Sequence, residues 1–250
     1  LGLDLSVECQ QTLLAYQAEL LKWNGAYNLT AIRDPEESVT RHLLDSLSIL
    51  PLLNDPALAL PGPRLLDVGA GAGLPGLVLA IAKPSLQVTT LDSNGKKPRF
   101  MRHAVRALKL GNVEVIEDRV EAFQPRQGFD CVVSRAFSSL NDFFDKTTHL
   151  LATGGVWVAM KGKLDAKETA DIPADVEIRE SQRLRVPGLN EDRHAIVATL
   201  RKCLTSSQSP TRRVAWVKPP PPSILPPRSR RPSGACCWWI LMRRAMRRWE

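Results

Sequence analysis

The feature that most constrains the fold is a glycine-rich turn that separates an apolar segment from a helix-forming one. Residues 65–76 read LLDVGAGAGLPG, so a hydrophobic stretch ends directly in closely spaced glycines. Glycine adopts backbone angles that other residues avoid and leaves room for a ligand beside the main chain. A helix that starts after such a turn has unpaired N–H groups in its first turn. The segment therefore predicts a strand–turn–helix unit that binds a nucleotide-like cofactor.

Strand and helix patterns alternate downstream of this turn. Strands are predicted at 64–69, 87–92, 113–117, 129–134, 155–161 and 193–201, with a further strand around 176–186. Helices are predicted at 75–83, 96–109 and 140–151. Such alternation with short connections is typical of an α/β fold, in which helices cover both faces of a mostly parallel sheet.

The N-terminal part of the chain carries helical signals instead. Ser6 is a suitable N-cap for a first helix, and a second helix is predicted to start with Asp34 as its N-cap and Pro35 in its first turn. Four prolines within 51–63 predict a linker. The predicted division is a helical segment at 1–60, an α/β sheet domain at 61–204 and a tail at 205–250.

The net charge of +8 resides in the tail. Residues 205–250 contain ten Lys and Arg against one Glu, whereas residues 1–204 contain 24 Lys and Arg against 25 acids. The tail also holds eight of the 19 prolines, and we expect it to be disordered. Because the body is nearly neutral, RNA binding by the body must be argued from individual residues and not from bulk charge.

The remaining composition excludes several classes of protein. No apolar run reaches the ~18 residues that a membrane-spanning helix needs. The five cysteines have neither disulfide nor metal-site spacing, so we expect no metal and a reduced, cytoplasmic setting. We also expect a monomer.

The glycine turn by itself fits two cofactors. Gly71, Gly73 and Gly76 satisfy the GxGxxG pattern of dinucleotide-binding proteins. Asp67 favours S-adenosylmethionine, because a carboxylate beside the glycines can face an ammonium group but would repel a pyrophosphate. Asp92 ends the next predicted strand, where it can accept hydrogen bonds from ribose hydroxyls in either cofactor. Glu117 and Asp118 follow the third strand, where an acid can meet the adenine edge.

Eight sequence blocks carry a resemblance to one known family. They are YNLTAI, RHLLDSL, DVGAGAGLPGLVLA, LDSNGKK, DRVEAF, SRAFSSL, VAMKG and EDRHAIVATLRK, in this order between about residue 5 and residue 202. Together they resemble the bacterial small-subunit (16S) ribosomal RNA guanine-N7 methyltransferases, also called glucose-inhibited division protein B. The resemblance implies a class I S-adenosylmethionine-dependent methyltransferase (Rossmann-like) fold with an N-terminal helical segment. It also implies cofactor contacts at Gly69, Leu74, Val120, Glu121 and Arg135.

The implied reaction transfers a methyl group to N7 of one guanine in 16S rRNA. Because N7 carries a lone pair and no proton, no general base is required, and the site has to position the base and accommodate positive charge. Arg135 follows the fourth strand and is the main catalytic candidate, with an ion pair as its structural alternative. Asn28 could bond the guanine edge or hold a turn. Cys131 lies in an apolar strand and is interpreted as a core residue.

Four further residues are candidate RNA contacts, each with a structural alternative. Arg41 could bind phosphate or form a local ion pair with Asp45, four residues along the same helix. His42 could be a partly buried core histidine. Lys161 could be a solvated loop lysine, and Arg193 could be a charge at the sheet edge.

Three competing functions remain open at this point. A small-molecule methyltransferase would fit the neutral body, and an NAD-binding oxidoreductase would fit the GxGxxG pattern. A non-enzymatic RNA-binding adaptor would use the basic tail. The ordered blocks favour the rRNA guanine-N7 methyltransferase over all three, with 16S rRNA or the small ribosomal subunit as the partner.

Overall fold

The fold is organised by a seven-stranded sheet whose strand order is β3-β2-β1-β4-β5-β7-β6. The computed structural model describes residues 1–58, 60–135, 137, 139–163, 168 and 171–201. The predicted tail at 205–250 lies outside the described residues. Residues Leu3–Arg201 belong to one compact unit.

The strands occupy the positions that the apolar segments predicted. Their bounds are β1 Arg64–Val68, β2 Gln87–Leu91, β3 Val113–Ile116, β4 Phe129–Ser134, β5 Leu151–Lys161, β6 Val176–Arg183 and β7 His194–Leu200. The pairs from β3 through β5 are parallel, and β7 pairs antiparallel with both β5 and β6. The predicted mostly parallel sheet is confirmed.

One strand is longer than predicted. β5 starts at Leu151, four residues before the predicted start at residue 155. Gly155 is required inside the strand, because a Cβ there would lie 2.8 Å from the Phe129 carbonyl oxygen. A register shift between Phe129 and Cys131 in the neighbouring β4 accommodates the irregularity. The helix predicted at 140–151 is correspondingly shorter.

Helices cover the sheet at the predicted positions, together with an N-terminal helical segment. The bounds are α1 Val7–Tyr27, α2 Pro35–Ser38, α3 Asp45–Leu47, α4 Leu50–Asn54, α5 Gly76–Ala82, α6 Lys96–Ala107 and α7 Leu140–Thr147. Among the described residues, none of the helices has the length and apolar character needed to cross a membrane.

The first helix forms as the capping signals predicted. The Ser6 side chain accepts a hydrogen bond from the Cys9 N–H at 3.2 Å. The apolar face of α1 is fully buried at Leu13, Tyr16 and Leu20, and α1 packs against α5 and α6. The predicted Asp34 cap is also present, since its carboxylate accepts from the Glu37 N–H at 2.7 Å.

The second helical stretch departs from the prediction in two ways. A π-helix at Val39–Leu44 separates α2 from α3, so the predicted single helix has a widened middle turn. The predicted linker at 51–63 contains α4 and a 3₁₀ turn at Pro56–Leu58, with Leu52 and Leu53 buried. Pro51 caused the error, because proline also fits the first turn of a helix.

The strand order reverses beside β1, and this reversal positions the site. β1 pairs with β2 on one side and with β4 on the other. The chain runs from β1 through β2 to β3 and then crosses to β4 on the opposite side of β1. In open α/β sheets such a switch point leaves a crevice at the carboxyl ends of the strands, where ligands bind. The glycine turn and Arg135 both lie at this edge.

One buried hydrogen bond tests the packing of α7 on the sheet. The Trp157 indole N–H donates to the Thr147 hydroxyl at 2.9 Å, and both residues are fully buried. Thr147→Val should lower the free energy of unfolding by about 1–3 kcal/mol, because it leaves a buried donor unpaired. Thr147→Ser keeps the hydroxyl and should cost less.

Urea denaturation of Thr147→Val, Trp157→Phe and the double variant gives a double-mutant cycle. Adding Trp157→Phe to Thr147→Val should cost less than the sum of the two single changes, because the orphaned donor is removed. Strictly additive values would mean that the bond contributes nothing.

Candidate active site

The glycine turn holds its shape through left-handed backbone angles. Gly69, Gly71 and Gly73 have φ angles of 69°, 61° and 88°. A Cβ at Gly73 would lie 2.5 Å from the Leu77 side chain, so only glycine fits there. Beside Gly71, in contrast, the nearest atom to such a Cβ is a carbonyl oxygen at 3.9 Å, which leaves space along the main chain. Leu74, also implied as a cofactor contact, has a buried side chain.

Asp67 lies beneath the first turn of α5. One carboxylate oxygen accepts from the Gly76 N–H at 2.7 Å, while the other oxygen is buried without a hydrogen-bond partner among the described residues. Burial raises the pKa of Asp67 to about 7, although the Gly76 hydrogen bond and the charge of Arg135 lower it. The unpartnered oxygen is the acceptor that a cationic group would satisfy.

Asp92 holds the glycine turn from the neighbouring strand. Its two carboxylate oxygens accept from the Gly71 N–H at 2.8 Å and from the Asn94 N–H at 2.9 Å. The Lys97 ammonium lies 3.6 Å away. Asp67, Asp92 and the turn therefore meet at the carboxyl ends of β1 and β2, as the sequence predicted. The carboxylate of Asp92 has further lone pairs with which to accept from a ligand.

The N-terminal helix contributes a contact that the sequence did not reveal. The Tyr16 hydroxyl, fully buried, donates to the Ala72 carbonyl oxygen in the glycine turn at 2.7 Å. Burial raises the pKa of the Tyr16 hydroxyl, so the group remains a donor at neutral pH. The spacing of Leu13, Tyr16 and Leu20 predicts only that Tyr16 lies on the apolar face of a helix, because a pattern along one helix says nothing about the loop that the helix meets.

Arg135 is tied to the N-terminal segment through a buried carboxylate. Its guanidinium donates to Asp45 at 3.0 Å and to the Arg41 carbonyl oxygen at 3.1 Å. Arg193 donates to the other oxygen of the same Asp45 carboxylate at 3.1 Å. The Asp45 side chain is only 4% exposed. One acidic group on α3 therefore fixes two arginines that follow β4 and precede β7.

Asp45, Arg135 and Arg193 line a cavity of about 330 Å³ at the carboxyl edge of the sheet. The wall of this cavity contains Asp45 and Arg135. It also contains the four predicted RNA contacts, which are Arg41, His42, Lys161 and Arg193. Four side chains that carry positive charge therefore lie in this wall together with one carboxylate, Asp45, which pairs with Arg135 and Arg193. Arg41 and Lys161 pair instead with Glu37, Glu191 and Glu168, which lie outside the wall.

The ion pair with Asp45 weighed for Arg41 is not formed, although Arg41 does make a local ion pair with Glu37, four residues before it. Arg41 pairs with Glu37 at 2.8 Å and with Glu191 at 2.6 Å, while Asp45 pairs with arginines distant in sequence. The physical reason is that both carboxylate oxygens of Asp45 are occupied by Arg135 and Arg193.

His42 is a buried histidine, as its structural alternative predicted. Its ring is 6% exposed, and Nε2 lies 2.9 Å from the Thr30 hydroxyl oxygen. Burial, followed by the charge of Arg135, lowers the pKa of His42 to about 4. The ring is therefore neutral at pH 7 and adds no charge to the cavity.

The other predicted contacts have defined structural partners. The Lys161 ammonium lies 2.5 Å from Glu168 and is mostly buried, so it is not a solvated loop lysine. Arg193 precedes β7, which lies between β5 and β6, so Arg193 is not a sheet-edge charge. Burial raises the pKa of the Cys131 thiol to about 12, in agreement with a core role.

Three candidate residues lie away from this cavity. Asn28 caps α1 with a left-handed φ of 50°, and its side-chain oxygen accepts from Arg33 at 3.1 Å, which supports the turn role. Val120 packs against the core beside the sheet. Glu121 is exposed, and its carboxylate lies 3.7 Å from the Lys146 ammonium.

Comparisons with known proteins agree with these motifs. A family described as GidB, rRNA small subunit methyltransferase G, matches residues 9–197. A ribosomal RNA small subunit methyltransferase G from Chromohalobacter salexigens is 57% identical over 188 residues, which cover 75% of this chain and 86% of that protein. A protein of the same description from Pseudomonas putida is 50% identical over 197 residues, covering 79% and 89% of the two chains.

The fold also has relatives among solved structures. A crystal structure of a mutant of MtNAS superposes with a TM-score of 0.50 at 14% identity, covering 73% of this chain and 71% of that chain. This likeness concerns the fold alone. The strand order and the family match confirm the predicted class I methyltransferase fold. On the match over residues 9–197 and on these identities, the chain belongs to the rRNA small subunit methyltransferase G family.

Proposed function

We propose that this chain transfers the methyl group of S-adenosylmethionine to N7 of a guanine in 16S rRNA. The observation that carries the proposal is the meeting of the glycine turn, two strand-end carboxylates and a cationic cavity at one sheet edge. Because the chain belongs to this methyltransferase family, we infer a cofactor site at the glycine turn and an anion-binding site at the neighbouring cavity. A ribosomal substrate implies a cytoplasmic enzyme.

The donor groups fit S-adenosylmethionine better than NAD. The unpartnered oxygen of Asp67 can accept from the ammonium group of the methionine part, whereas a pyrophosphate at the same place would be repelled. Asp92 is placed to accept from the ribose hydroxyls while it holds Gly71. Bound S-adenosylmethionine would supply an electrophilic sulfonium methyl carbon, which the N7 lone pair would attack in line while the carbon–sulfur bond breaks and S-adenosylhomocysteine leaves.

The cavity suits a reaction that needs no base. Guanine N7 carries no proton, so the work of the protein is to position the ring and to stabilise the transition state. The Arg135 and Arg193 guanidiniums, held by Asp45, can donate to guanine O6 or to phosphate oxygens. Arg135 also lowers the pKa of Asp67, so its charge acts on both the cofactor side and the substrate side.

The second candidate function is a methyltransferase that acts on a small molecule. The nearly neutral body favours it, since residues 1–204 contain almost equal numbers of basic and acidic side chains. The cluster of cations around one cavity favours an anionic substrate instead.

Methyl transfer to isolated small ribosomal subunits distinguishes the two. Subunits that lack the modification should incorporate labelled methyl groups from S-adenosylmethionine, and nuclease digestion should yield 7-methylguanosine at one site. Incorporation into no RNA nucleoside, or into a different atom of the base, would refute the proposal. Calorimetry with NAD as the titrant excludes the dinucleotide alternative if no heat of binding is seen.

The ionisation of Asp67 predicts how cofactor binding depends on pH. Asp67 has a pKa of about 7 in the free protein and must be ionised to pair with an ammonium group. Affinity for S-adenosylmethionine should therefore increase by about 10-fold between pH 6 and pH 8, since the carboxyl loses its proton over that range.

Calorimetry on Asp67→Asn should show weaker binding and no such increase beyond the titration of the cofactor itself. Asp145→Asn, at an exposed position on α7, serves as the matched control and should behave like the parent. An equal pH dependence in Asp67→Asn would mean that Asp67 does not face the ammonium group.

A separate prediction concerns the role of Arg135 in catalysis. Arg135→Ala should lower the single-turnover methylation rate at least 100-fold, because the cavity loses a planar guanidinium group that can donate two parallel hydrogen bonds. The free energy of unfolding should fall by about 1–3 kcal/mol, since Asp45 keeps only Arg193. Arg135→Lys should restore much of the stability but little of the rate, because a point charge lacks bidentate geometry.

Rates and melting temperatures of both variants are compared with Arg183→Ala, which removes an exposed ion pair to Asp192. If Arg135→Ala methylates at the parental rate, the residue is structural only.

A further inference from the structure

Helix α6 carries a stripe of exposed cations on its solvent face. Its members recur at intervals of three, three, four and three residues, and all are exposed: Lys96, Arg99, Arg102, Arg106 and Lys109. The first four lie within α6, where residues three or four apart share one side of the helix, so they form one row. Lys109 comes two residues after the end of α6, with a left-handed φ of 55°, and follows the row in sequence only. The opposite face is buried at Pro98, Phe100, Met101 and Ala104. We call the five exposed residues the α6 basic stripe.

The positive charges of the α6 basic stripe do not stabilise the helix itself. The first turn of α6 contains Lys96 and Lys97 and no acidic residue. Cations near a helix N-terminus oppose the helix dipole. Residues 96–109 hold six Lys and Arg and no Asp or Glu, so no acidic neighbour within the segment balances them.

Most of the stripe has no acidic partner from elsewhere in the described part of the chain. Arg102 pairs with Glu117 at 2.9 Å. Within residues 1–58, 60–135 and the later described ranges, no ion pair involves Lys96, Arg99, Arg106 or Lys109. In a body whose basic and acidic residues nearly balance, these four cations are free to meet an external anion.

The stripe starts beside the candidate cofactor site. Lys97, in the first turn of α6, lies 3.6 Å from the Asp92 carboxylate, which in turn holds Gly71. The twelve residues of α6 extend from this edge along the sheet for about 18 Å. An extended polyanion that reaches the site across the start of α6 can therefore follow the stripe.

We propose that the α6 basic stripe binds the sugar-phosphate backbone of the RNA substrate and positions it at the active-site edge. The proposal rests on the proposed function for the identity of the RNA. Lys and Arg rows of this kind neutralise phosphates without reading base sequence. A membrane surface fits less well, because Val7, outside α6, is the only exposed large hydrophobic side chain among the described residues.

The test removes three charges from the stripe and three from elsewhere. The stripe variant is Arg99→Gln, Arg106→Gln and Lys109→Gln, which avoids Lys97 beside the cofactor site and Arg102 with its ion pair. The control variant is Lys22→Gln, Arg126→Gln and Arg185→Gln, all exposed and outside α6. Both variants lower the net charge by the same amount.

Binding of 16S rRNA transcript is measured by filter retention between 50 and 300 mM salt. The stripe variant should bind at least 10-fold more weakly, and the slope of log affinity against log salt should fall by about 2–3, one for each lost phosphate contact. The control variant should change the slope by less than one. A charge-retaining variant, Arg99→Lys with Arg106→Lys, should bind like the parent.

Kinetics separate this role from catalysis. The KM for RNA should rise in the stripe variant, while kcat and the affinity for S-adenosylmethionine stay at parental values. Equal losses in the stripe and control variants would overturn the proposal, because bulk charge alone would explain them. Weakened binding to phosphatidylglycerol vesicles with unchanged RNA binding would also overturn it.

The outcomes also separate this proposal from the proposed function. If the parent methylates rRNA and the stripe variant binds and reacts like the parent, only the stripe proposal fails. If the parent binds RNA through the stripe but methylates no rRNA, the proposed function fails and the surface remains.

Discussion

The carboxylate of Asp45, shared by two guanidinium groups, connects the parts of this molecule. It lies almost fully buried on α3 and binds Arg135 after β4 and Arg193 before β7. A buried carboxylate without partners would be costly, and so would two arginines left beside each other without an acid. Each group therefore fixes the others, and the N-terminal segment becomes one wall of the cavity.

The same edge of the sheet holds the glycine turn between two acids. Asp92 binds the Gly71 N–H, Asp67 binds the Gly76 N–H, and Tyr16 from α1 binds the Ala72 carbonyl oxygen. The turn is thus held from β1, β2 and the N-terminal helix before any ligand arrives. Such preorganisation reduces the ordering cost of binding. It also leaves one oxygen of Asp67 free to act as an acceptor.

Sequence reasoning located most of this site because strand ends are visible as a pattern. An apolar run followed by glycine or a charged residue marks where a parallel strand ends, and parallel strands place those ends together. Asp67, Asp92, Arg135 and Lys161 were found in this way. The pairing of Asp45 does not follow from spacing, because a separation of four residues suggests Arg41 as its partner, whereas its carboxylate binds Arg135 and Arg193. The linker predicted from prolines failed similarly, since proline is compatible with the first turn of α4.

The sequence by itself determined the order of strands and helices, the glycine turn and the family to which the chain belongs. These follow from local periodicity, from backbone requirements of single residues and from ordered motifs. Only the tertiary structure decided which charges meet. Arg135 and Asp45 are 90 residues apart, and Arg193 and Asp45 are 148 apart, so no local pattern links them. The exposed row on α6 became recognisable as a surface only after its opposite face was seen to be buried.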